Sequence, residues 1–267
     1  MKGIISSLTI GAGLYFFLQC KWLQITKYEI ESEVIPKEFH GYKIVHISDL
    51  HDCYYGSNDK NYLIDKISSL NPDIVMATGD FFDRNSRYKN AYLILKKLSE
   101  KYPVFFITGS HDYACDKFNI MKKRLTKVTF LSNQTVFLSK GAEHIAVTGI
   151  NDRGKFKSDM EFEDVLKRLN QENKFNILLS HRPDLFDVYE QYGYEMILSG
   201  HVHGGIIRFP GGKGLVSYDE GLFPQYSEGI HVKNNSALII NRGIGWHTTF
   251  TKINNRPEIG LITLLHK

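Results

Sequence analysis

The sequence predicts a layered α/β domain, and three observations support this fold class. Short apolar runs typical of buried strands alternate with segments whose apolar residues recur at helical spacing. The chain has 267 residues and 42% hydrophobic content, enough to bury one large core. His and Asp residues directly follow several apolar runs, as expected where ligands collect at the carboxyl ends of strands in an open α/β sheet.

The first half of the chain has the clearest alternation of strands and helices. A lead-in strand and three apolar runs are expected as strands within 21–39, 42–48, 74–78 and 104–108. In the helix before the third of these, Ile64, Ile67 and Leu70 share one face, and Asp59 is its possible N-cap. A second amphipathic helix is expected over 88–100.

The second half has shorter strand candidates and a β-rich end. Strands are expected around Phe130 and at 136–138, 145–148, 176–180, 195–199, 237–241 and 259–265. One helix is expected over 161–172. Glycines within 204–214 break the chain into hairpins before the last strands.

Composition excludes several classes of protein. The net charge of +4 comes from 33 basic and 29 acidic residues with no basic block, so nucleic acid is not an expected partner. The three cysteines, Cys20, Cys53 and Cys115, show no C-x-x-C spacing. Neither a disulfide framework nor a zinc knuckle is therefore indicated.

The N-terminus carries an uncharged, largely apolar segment over 3–20, bounded by Lys2 and Lys21. Its length is close to the ~18 residues typical of a membrane-spanning helix. The distal end lacks the small-residue pattern of a cleavage site. We predict that residues 1–21 form a transmembrane anchor or uncleaved signal and that 22–267 form one catalytic domain. A cleaved signal peptide and a buried helix are the alternatives.

Five polar clusters follow strand-like runs and predict a metal site. They are Asp49-Leu50-His51, Gly79-Asp80, His111-Asp112, His181 and His201-Val202-His203. Carboxylates and imidazoles without thiolates suit Mn²⁺, Fe²⁺ or Zn²⁺. His201 and His203 can face different neighbours, so two adjacent ions become possible, with a carboxylate such as Asp80 between them. Paired metals about 3.5 to 4 Å apart are typical of enzymes that hydrolyse phosphoesters.

These clusters resemble, in order, the D-x-H, G-D, G-N-H-D/E, H and G-H-x-H motifs of the calcineurin-like metallophosphoesterases. The match runs from Asp49 to His203, more than half of the chain. The segments 200–205, 241–245 and 256–259 are similar to a membrane-associated bacterial branch of that family. The resemblance implies a four-layer α/β/β/α metallophosphoesterase sandwich with an N-terminal membrane anchor.

The resemblance also implies roles for individual residues. The implied metal ligands are Asp49, His51 and His203 for one ion, His181 and His201 for the other, and Asp80 as the bridge. His111 would be the general acid, with Asp112 or Asp83 orienting its ring. Arg84 is placed like a phosphate-binding arginine, although a surface ion pair with Asp83 is an equal alternative. His247 follows a glycine-rich turn and could face substrate.

One position departs from the family pattern. Ser110 stands where the family has an asparagine that binds the second metal. A hydroxyl is a shorter and poorer neutral ligand than an amide oxygen. We therefore expect Ser110 to bind the second ion weakly or through water.

The predicted function is a membrane-anchored phosphoesterase in which a hydroxide held by two divalent ions attacks phosphorus. Mn²⁺ is the preferred ion, with Fe²⁺ or Zn²⁺ as alternatives. The ligands do not decide among phosphodiesters, pyrophosphates and phosphomonoesters, and the anchor favours a lipid-linked or envelope substrate. We predict a single-pass protein of the cell membrane with its catalytic domain outside the cytoplasm.

Two other functions are weighed against this prediction. The segment 79–84 suggests a protein phosphatase, but Thr108 stands where those enzymes carry an arginine before their third motif. Ser110 could mark a catalytically weakened, metal-binding scaffold at the membrane. Retention of His111 and of the other ligands argues against such decay.

Overall fold

The computed structural model describes residues 22–205, 207–208, 214–217, 221–245 and 253–267. The expected anchor over 1–21 and the candidate substrate residue His247 lie outside the described residues. Among the helices of the described ranges, none combines the length and apolarity needed to cross a bilayer.

Strands and helices alternate through most of the described chain. The strands are β1 Gln24–Ser32, β2 Tyr42–Ile47, β3 Ile74–Ala77, β4 Val104–Phe106, β5 Val128–Phe130, β6 Gln134–Lys140, β7 Glu143–Gly149, β8 Asn176–Leu179, β9 Met196–Ser199, β10 Ile207–Arg208, β11 Gly214–Ser217, β12 Gly221–Leu222, β13 Gly229–Lys233, β14 Ser236–Ile240 and β15 Glu258–His266. The α-helices are α1 Tyr62–Ser68, α2 Lys89–Lys101, α3 Ser110–Ala114, α4 Phe118–Arg124, α5 Asp159–Leu169 and α6 Phe186–Gln191.

The strands form two six-stranded mixed sheets and one small sheet. The first sheet has the order β1-β15-β2-β3-β4-β5, with β2 to β5 parallel and β15 antiparallel to β2. The second has the order β13-β14-β9-β8-β7-β6, with antiparallel strands only at its two margins. The short strands β10, β11 and β12 form an antiparallel sheet.

The two large sheets pack face to face around a shared apolar core. Alternation along β2 separates the layers, because Ile44 points into this inner core while Val45 and Ile47 join the core on the other face. Met76 of the first sheet and Leu198 of the second belong to the same inner core. Full burial of each such side chain stabilises the fold by about 1.5–3 kcal/mol.

Helices cover both outer faces. On the first sheet α1, α2 and α4 contribute Leu63, Leu95 and Phe118 to the outer core. On the second sheet α5 and α6 contribute Phe162 and Phe186. The α/β/β/α layering expected from the sequence is therefore observed.

The termini of two helices differ from the sequence expectation. Asn61, rather than Asp59, caps α1, since its side-chain oxygen accepts the Ile64 N–H at 3.2 Å. An N-cap must lie immediately before the helix, and Asp59 lies too early to bond the first-turn amides. Helix α5 begins at Asp159, two residues earlier than expected, because Ser158 caps it by accepting the Glu161 N–H.

The sheet topology gathers the polar clusters at one edge. The strands β2, β3 and β4 in the first sheet and β8 and β9 in the second are parallel within their sheets, and each is followed by a polar cluster. We call the edge at the carboxyl ends of these five strands the site edge. The backbone N–H of His201, from the second sheet, donates to Asp49 Oδ2 of the first at 3.0 Å, so both sheets meet there.

Candidate metal centre

Three groups of acidic and imidazole side chains place their ligand atoms within 4.8 Å of one another. The groups are Asp49 with His51 and His203, Asp80 with His181 and His201, and Asp83 with His51 and His111. We call the first group the first triad and the second group the second triad. The structure thus brings together the six Asp and His residues that the resemblance named as metal ligands, and it groups Asp80, the expected bridge, with His181 and His201.

The first triad surrounds a buried carboxylate oxygen. The Nε2 atoms of His51 and His203 are 3.1 Å apart, and Asp49 Oδ1 lies 4.0 Å and 3.5 Å from them. Asp49 is fully buried, and within the described residues its Oδ1 accepts no hydrogen bond. A buried charge without a partner is costly, and a divalent cation among these three side chains would compensate it. The donor set fits such an ion.

The second triad is oriented by the backbone of β3. His181 Nδ1 donates to the carbonyl oxygen of Thr78 at 2.7 Å, which directs Nε2 toward Asp80 Oδ2 at 3.2 Å. Fixing one ring nitrogen by a backbone carbonyl is the usual way to present the other nitrogen to a metal. Asp80 Oδ1 accepts the His111 N–H at 2.7 Å, so this carboxylate contacts both sheets.

The electrostatics of the centre follow from burial and from the two aspartates. Burial lowers the pKa of His51 to about 4, although Asp80 and Asp49 act in the opposite direction. Burial also lowers the pKa of His181, but the charge of Asp80 outweighs it and raises that pKa to about 10. Burial raises the pKa of Asp80, yet His181 holds it well below its usual range. The buried Asp80 carboxylate therefore stabilises positive charge within the second triad.

The backbone of the candidate ligands in the two triads is strained. Five of the six have left-handed φ angles: Asp49 at 52°, His51 at 47°, Asp80 at 54°, His201 at 72° and His203 at 53°. Such conformations cost about 1–3 kcal/mol each in residues other than glycine and cluster at functional sites. Tight turns after the strands therefore hold these side chains in place.

Two glycines allow the loops to approach closely. A Cβ on Gly79, whose φ is +89°, would lie 2.5 Å from the Gly109 nitrogen. A Cβ on Gly200 would lie 1.9 Å from Ser48 Oγ and 2.3 Å from Asp49 Oδ2. Only glycine fits at these two positions without moving the ligands.

His111 stands beside both triads. Its ring packs edge-to-face on His51 with centroids 4.6 Å apart, and its Nδ1 lies 3.0 Å from Asp83 Oδ1. Burial raises the pKa of Asp83, but hydrogen bonds from His111 and Arg87 lower it to about 2. Asp83 is thus an anion that orients the His111 ring.

Asp112 has a different partner set. Its two carboxylate oxygens accept the backbone N–H groups of Gly109, Asp80 and Phe82 at 2.9, 2.8 and 2.8 Å. Burial and the charge of Asp80 raise its pKa to about 8. Of the two carboxylates expected to orient His111, Asp83 contacts the ring, while Asp112 holds the turns that carry Asp80 and His111.

The remaining candidates are placed as follows. Arg84 is exposed, and its backbone N–H donates to Asp83 Oδ1 at 2.8 Å. The side chain that pairs with Asp83 is that of Arg87, through Nε at 2.8 Å, so the ion pair considered for Arg84 is formed by Arg87 instead. Ser110 is partly buried at the first position of α3, between Gly109 and His111.

Sequence reasoning missed Arg182. Its Nε donates to Asp152 Oδ2 at 3.0 Å, and its Nη1 lies 3.0 Å from His201 Nε2. The side chain is about 29% exposed, so a cationic group lies at the border of the second triad and solvent. Arg182 directly follows the candidate ligand His181 in the sequence, and this adjacency could have indicated that it lies near the site.

A layered α/β domain that gathers acidic and imidazole ligands at one edge has the features of a metal-dependent hydrolase. Comparison with known proteins narrows this class. The family model described as calcineurin-like phosphoesterase matches residues 42–205, which contain both triads. The chain belongs to the calcineurin-like phosphoesterase family, as the resemblance predicted, and is a metallophosphoesterase.

Curated relatives match over nearly the whole chain. The uncharacterized metallophosphoesterase YkuE of Bacillus subtilis is 29% identical over 279 residues, covering 99% of this chain and 96% of that protein. Phosphodiesterase YaeI of Escherichia coli is 24% identical over 270 residues, covering 96% of this chain and 93% of that protein. YkoQ, a second uncharacterized metallophosphoesterase of Bacillus subtilis, is 28% identical and covers 81% of each chain.

Proposed function

We propose that this protein is a membrane-anchored phosphoesterase whose first and second triads each hold one divalent cation, with Asp80 between them. The observation that carries the proposal is the meeting of two Asp and His triads, with Asp49 Oδ1 buried and, in the described part of the chain, accepting no hydrogen bond. When bound, two such cations supply a hydroxide nucleophile and stabilise charge on the phosphoryl oxygens. Mn²⁺ is the preferred ion, ahead of Fe²⁺ or Zn²⁺.

His111 is the proposed proton donor. Asp83 orients the ring through Nδ1, and Nε2 is proposed to give a proton to the departing oxygen. General acids of this kind contribute about 10²–10⁴-fold to a rate. Asp112 is proposed to act through the backbone, by keeping the Asp80 and His111 turns at a fixed separation.

The substrate is proposed to be a phosphoester of a lipid-linked or envelope molecule. Among diesters, pyrophosphates and monoesters, the name of the relative YaeI, a phosphodiesterase, favours diesters. Residues 1–21 are proposed to be a single membrane anchor or uncleaved signal, with the catalytic domain, 22–267, outside the cytoplasm. The charge-free apolar run over 3–20 supports this placement.

Turnover by the full chain in detergent tests the proposal. We expect hydrolysis of bis(p-nitrophenyl) phosphate in preference to p-nitrophenyl phosphate, lost on chelation and restored by Mn²⁺. Absence of turnover with either ester, despite bound metal, would instead favour a metal-binding scaffold. The serine at position 110, in place of the family's asparagine, would then mark a catalytically weakened site.

Replacing Ser110 with Asn is expected to strengthen binding of the second cation. The longer amide oxygen can reach an ion in the second triad, and a partner of this kind is typically worth about 10 to 100-fold in metal affinity. Manganese titration with elemental analysis measures the effect. Ser86→Asn is a matched control, because Ser86 is exposed and bonds Asp116. Equal and full occupancy of both sites in the unmodified protein would contradict the expectation.

Replacing Arg182 with Ala is expected to raise KM with little change in kcat. A guanidinium at the border of the second triad can bind a phosphoryl oxygen, and a charge-assisted hydrogen bond is worth about 1.5–3 kcal/mol, or roughly 10 to 100-fold. Arg153→Ala is the control, because Arg153 is similarly exposed, 25% against 29%, and also pairs with an aspartate. An equal increase of KM in both variants would show that the effect comes from the lower net positive charge of the protein and not from a contact between Arg182 and substrate.

A further inference from the structure

The polypeptide enters the folded domain at the site edge. Strand β1 is parallel to β15, with Gln24 opposite Glu258, and β15 is antiparallel to β2, with Gly260 opposite His46. The start of β1 therefore lies at the same end of the sheet as the carboxyl end of β2, where the metal ligands begin. Trp22 lies two residues before the first residue of this strand, and its carbonyl oxygen accepts a hydrogen bond from Arg256 Nε at 2.9 Å.

This position bears on where a membrane anchor before Trp22 would join the domain. The run over 3–20 ends two residues before Trp22. Two residues span at most about 7 Å of extended chain. A bilayer crossed by that run would therefore lie beside the site edge rather than at the opposite end of the sandwich.

Large apolar side chains are exposed around the same edge. They are Trp22, Tyr54, Tyr62, Met160, Leu222 and Phe223, each between 48% and 80% exposed.

Chain connectivity places these side chains around the two triads. Tyr54 lies in the connection from β2 to α1, and Tyr62 is the first residue of α1. Met160 lies in the first turn of α5, which follows the carboxyl end of β7. Leu222 ends strand β12 of the small sheet, and Phe223 follows it directly. Strand β11 of the same sheet packs against Gly205, two residues after His203. The site edge is thus rimmed by exposed apolar groups.

The chemistry of this rim fits a lipid surface. Tryptophan and tyrosine have an apolar body and a polar tip, and they prefer the boundary between a membrane and water. The Arg256 guanidinium stacks over the Trp22 ring, with its central carbon 4.5 Å from the ring centroid, which places a positive charge beside an aromatic group.

We infer that the site edge faces the lipid bilayer and that these six side chains rest at its surface. This inference rests on the membrane anchor of the proposed function, and it does not depend on turnover. In this orientation the two triads open toward the headgroup layer. A phosphoester carried by a lipid would reach them without leaving the membrane surface.

Fluorescence quenching in vesicles tests the orientation. The chain has two tryptophans, Trp22 and Trp246. For the experiment, both are first replaced with phenylalanine so that each variant carries one tryptophan. Single reporters are then introduced as Tyr54→Trp and Phe223→Trp at the site edge. The matched controls are Val34→Trp, after the far end of β1, and Phe137→Trp, midway along β6, since both are 45–51% exposed. The full-length variants are reconstituted in vesicles of phosphatidylglycerol and phosphatidylcholine brominated in its acyl chains.

We expect both site-edge reporters to lose most of their fluorescence in brominated vesicles relative to unbrominated ones, and both controls to keep it. Equal quenching at all four positions, quenching at none of them, or failure of the chain to float with the vesicles would overturn the inference. Hydrolysis of bis(p-nitrophenyl) phosphate by the same variants is measured in parallel. Selective quenching without hydrolysis would contradict the proposed phosphoesterase activity and leave the orientation intact.

Discussion

Replacing Asp80 with Asn is expected to remove metal from the second triad and to lower kcat by roughly 10³-fold or more. Losing a residue that only supports a metal ligand typically costs about 10 to 100-fold, and the loss of Asp80 should exceed that. Asp80 uses both carboxylate oxygens, one toward His181 Nε2 at 3.2 Å and one on the His111 N–H at 2.7 Å. Asparagine has nearly the same volume but only one acceptor oxygen and no charge. It cannot serve both contacts and neutralise a cation.

Elemental analysis and steady-state kinetics measure this effect together. Asp116→Asn is the matched control, because Asp116 is an exposed aspartate that follows α3 and pairs with Ser86 and Lys117. This control is expected to retain metal content and turnover. A thermal melt checks that Asp80→Asn is folded. Two bound ions and unchanged turnover in Asp80→Asn would show that Asp80 does not lie between the cations.

Replacing His111 with Ala is expected to lower kcat by about 10²–10⁴-fold while metal content stays constant. The ring contacts His51 and is held by Asp83, but the groups that define the two triads remain in place without it. The loss should depend on the leaving group. An alkoxide needs a proton more than p-nitrophenolate does, so a methyl ester should be affected more than a p-nitrophenyl ester.

The leaving-group comparison distinguishes proton transfer from a structural effect. His144→Ala is the control, because His144 is a half-buried histidine near the start of β7 that bonds Ser139. His144→Ala is expected to leave kcat unchanged for both esters. Asp83→Asn should reproduce the leaving-group dependence with a smaller loss, since it removes the anion that orients the ring. An equal loss for both esters in His111→Ala would contradict the role of proton donor.

The strand ends illustrate what could be predicted from local pattern. Asp49 and Asp80 each follow a short apolar run, and both runs are strands, β2 and β3, in the structure. An apolar run followed by a polar residue needs no long-range information, because parallel strands in a layered domain share one orientation. The same reasoning placed His181 and His201 at one edge.

Hydrogen-bond partners illustrate what could not be predicted. Asp112 adjoins His111 in sequence, yet it binds backbone amides, while the more distant Asp83 holds the ring. Arg87, not the adjacent Arg84, pairs with Asp83, because an isolated bridge joins residues 83 and 87 across a tight turn. Sequence adjacency does not determine side-chain direction in irregular backbone.

The sequence by itself determined the family, the layered α/β class and the six Asp and His residues that could hold metal, because these depend on residue types at fixed positions after apolar strands. Only the tertiary structure decided how those ligands divide between the two sheets in space, which carboxylate orients His111, and that Arg182 borders the second triad. It also decided that β1 pairs with β15 and so begins at the site edge. Contacts between residues more than 200 positions apart depend on sheet order and register, which local patterns do not encode.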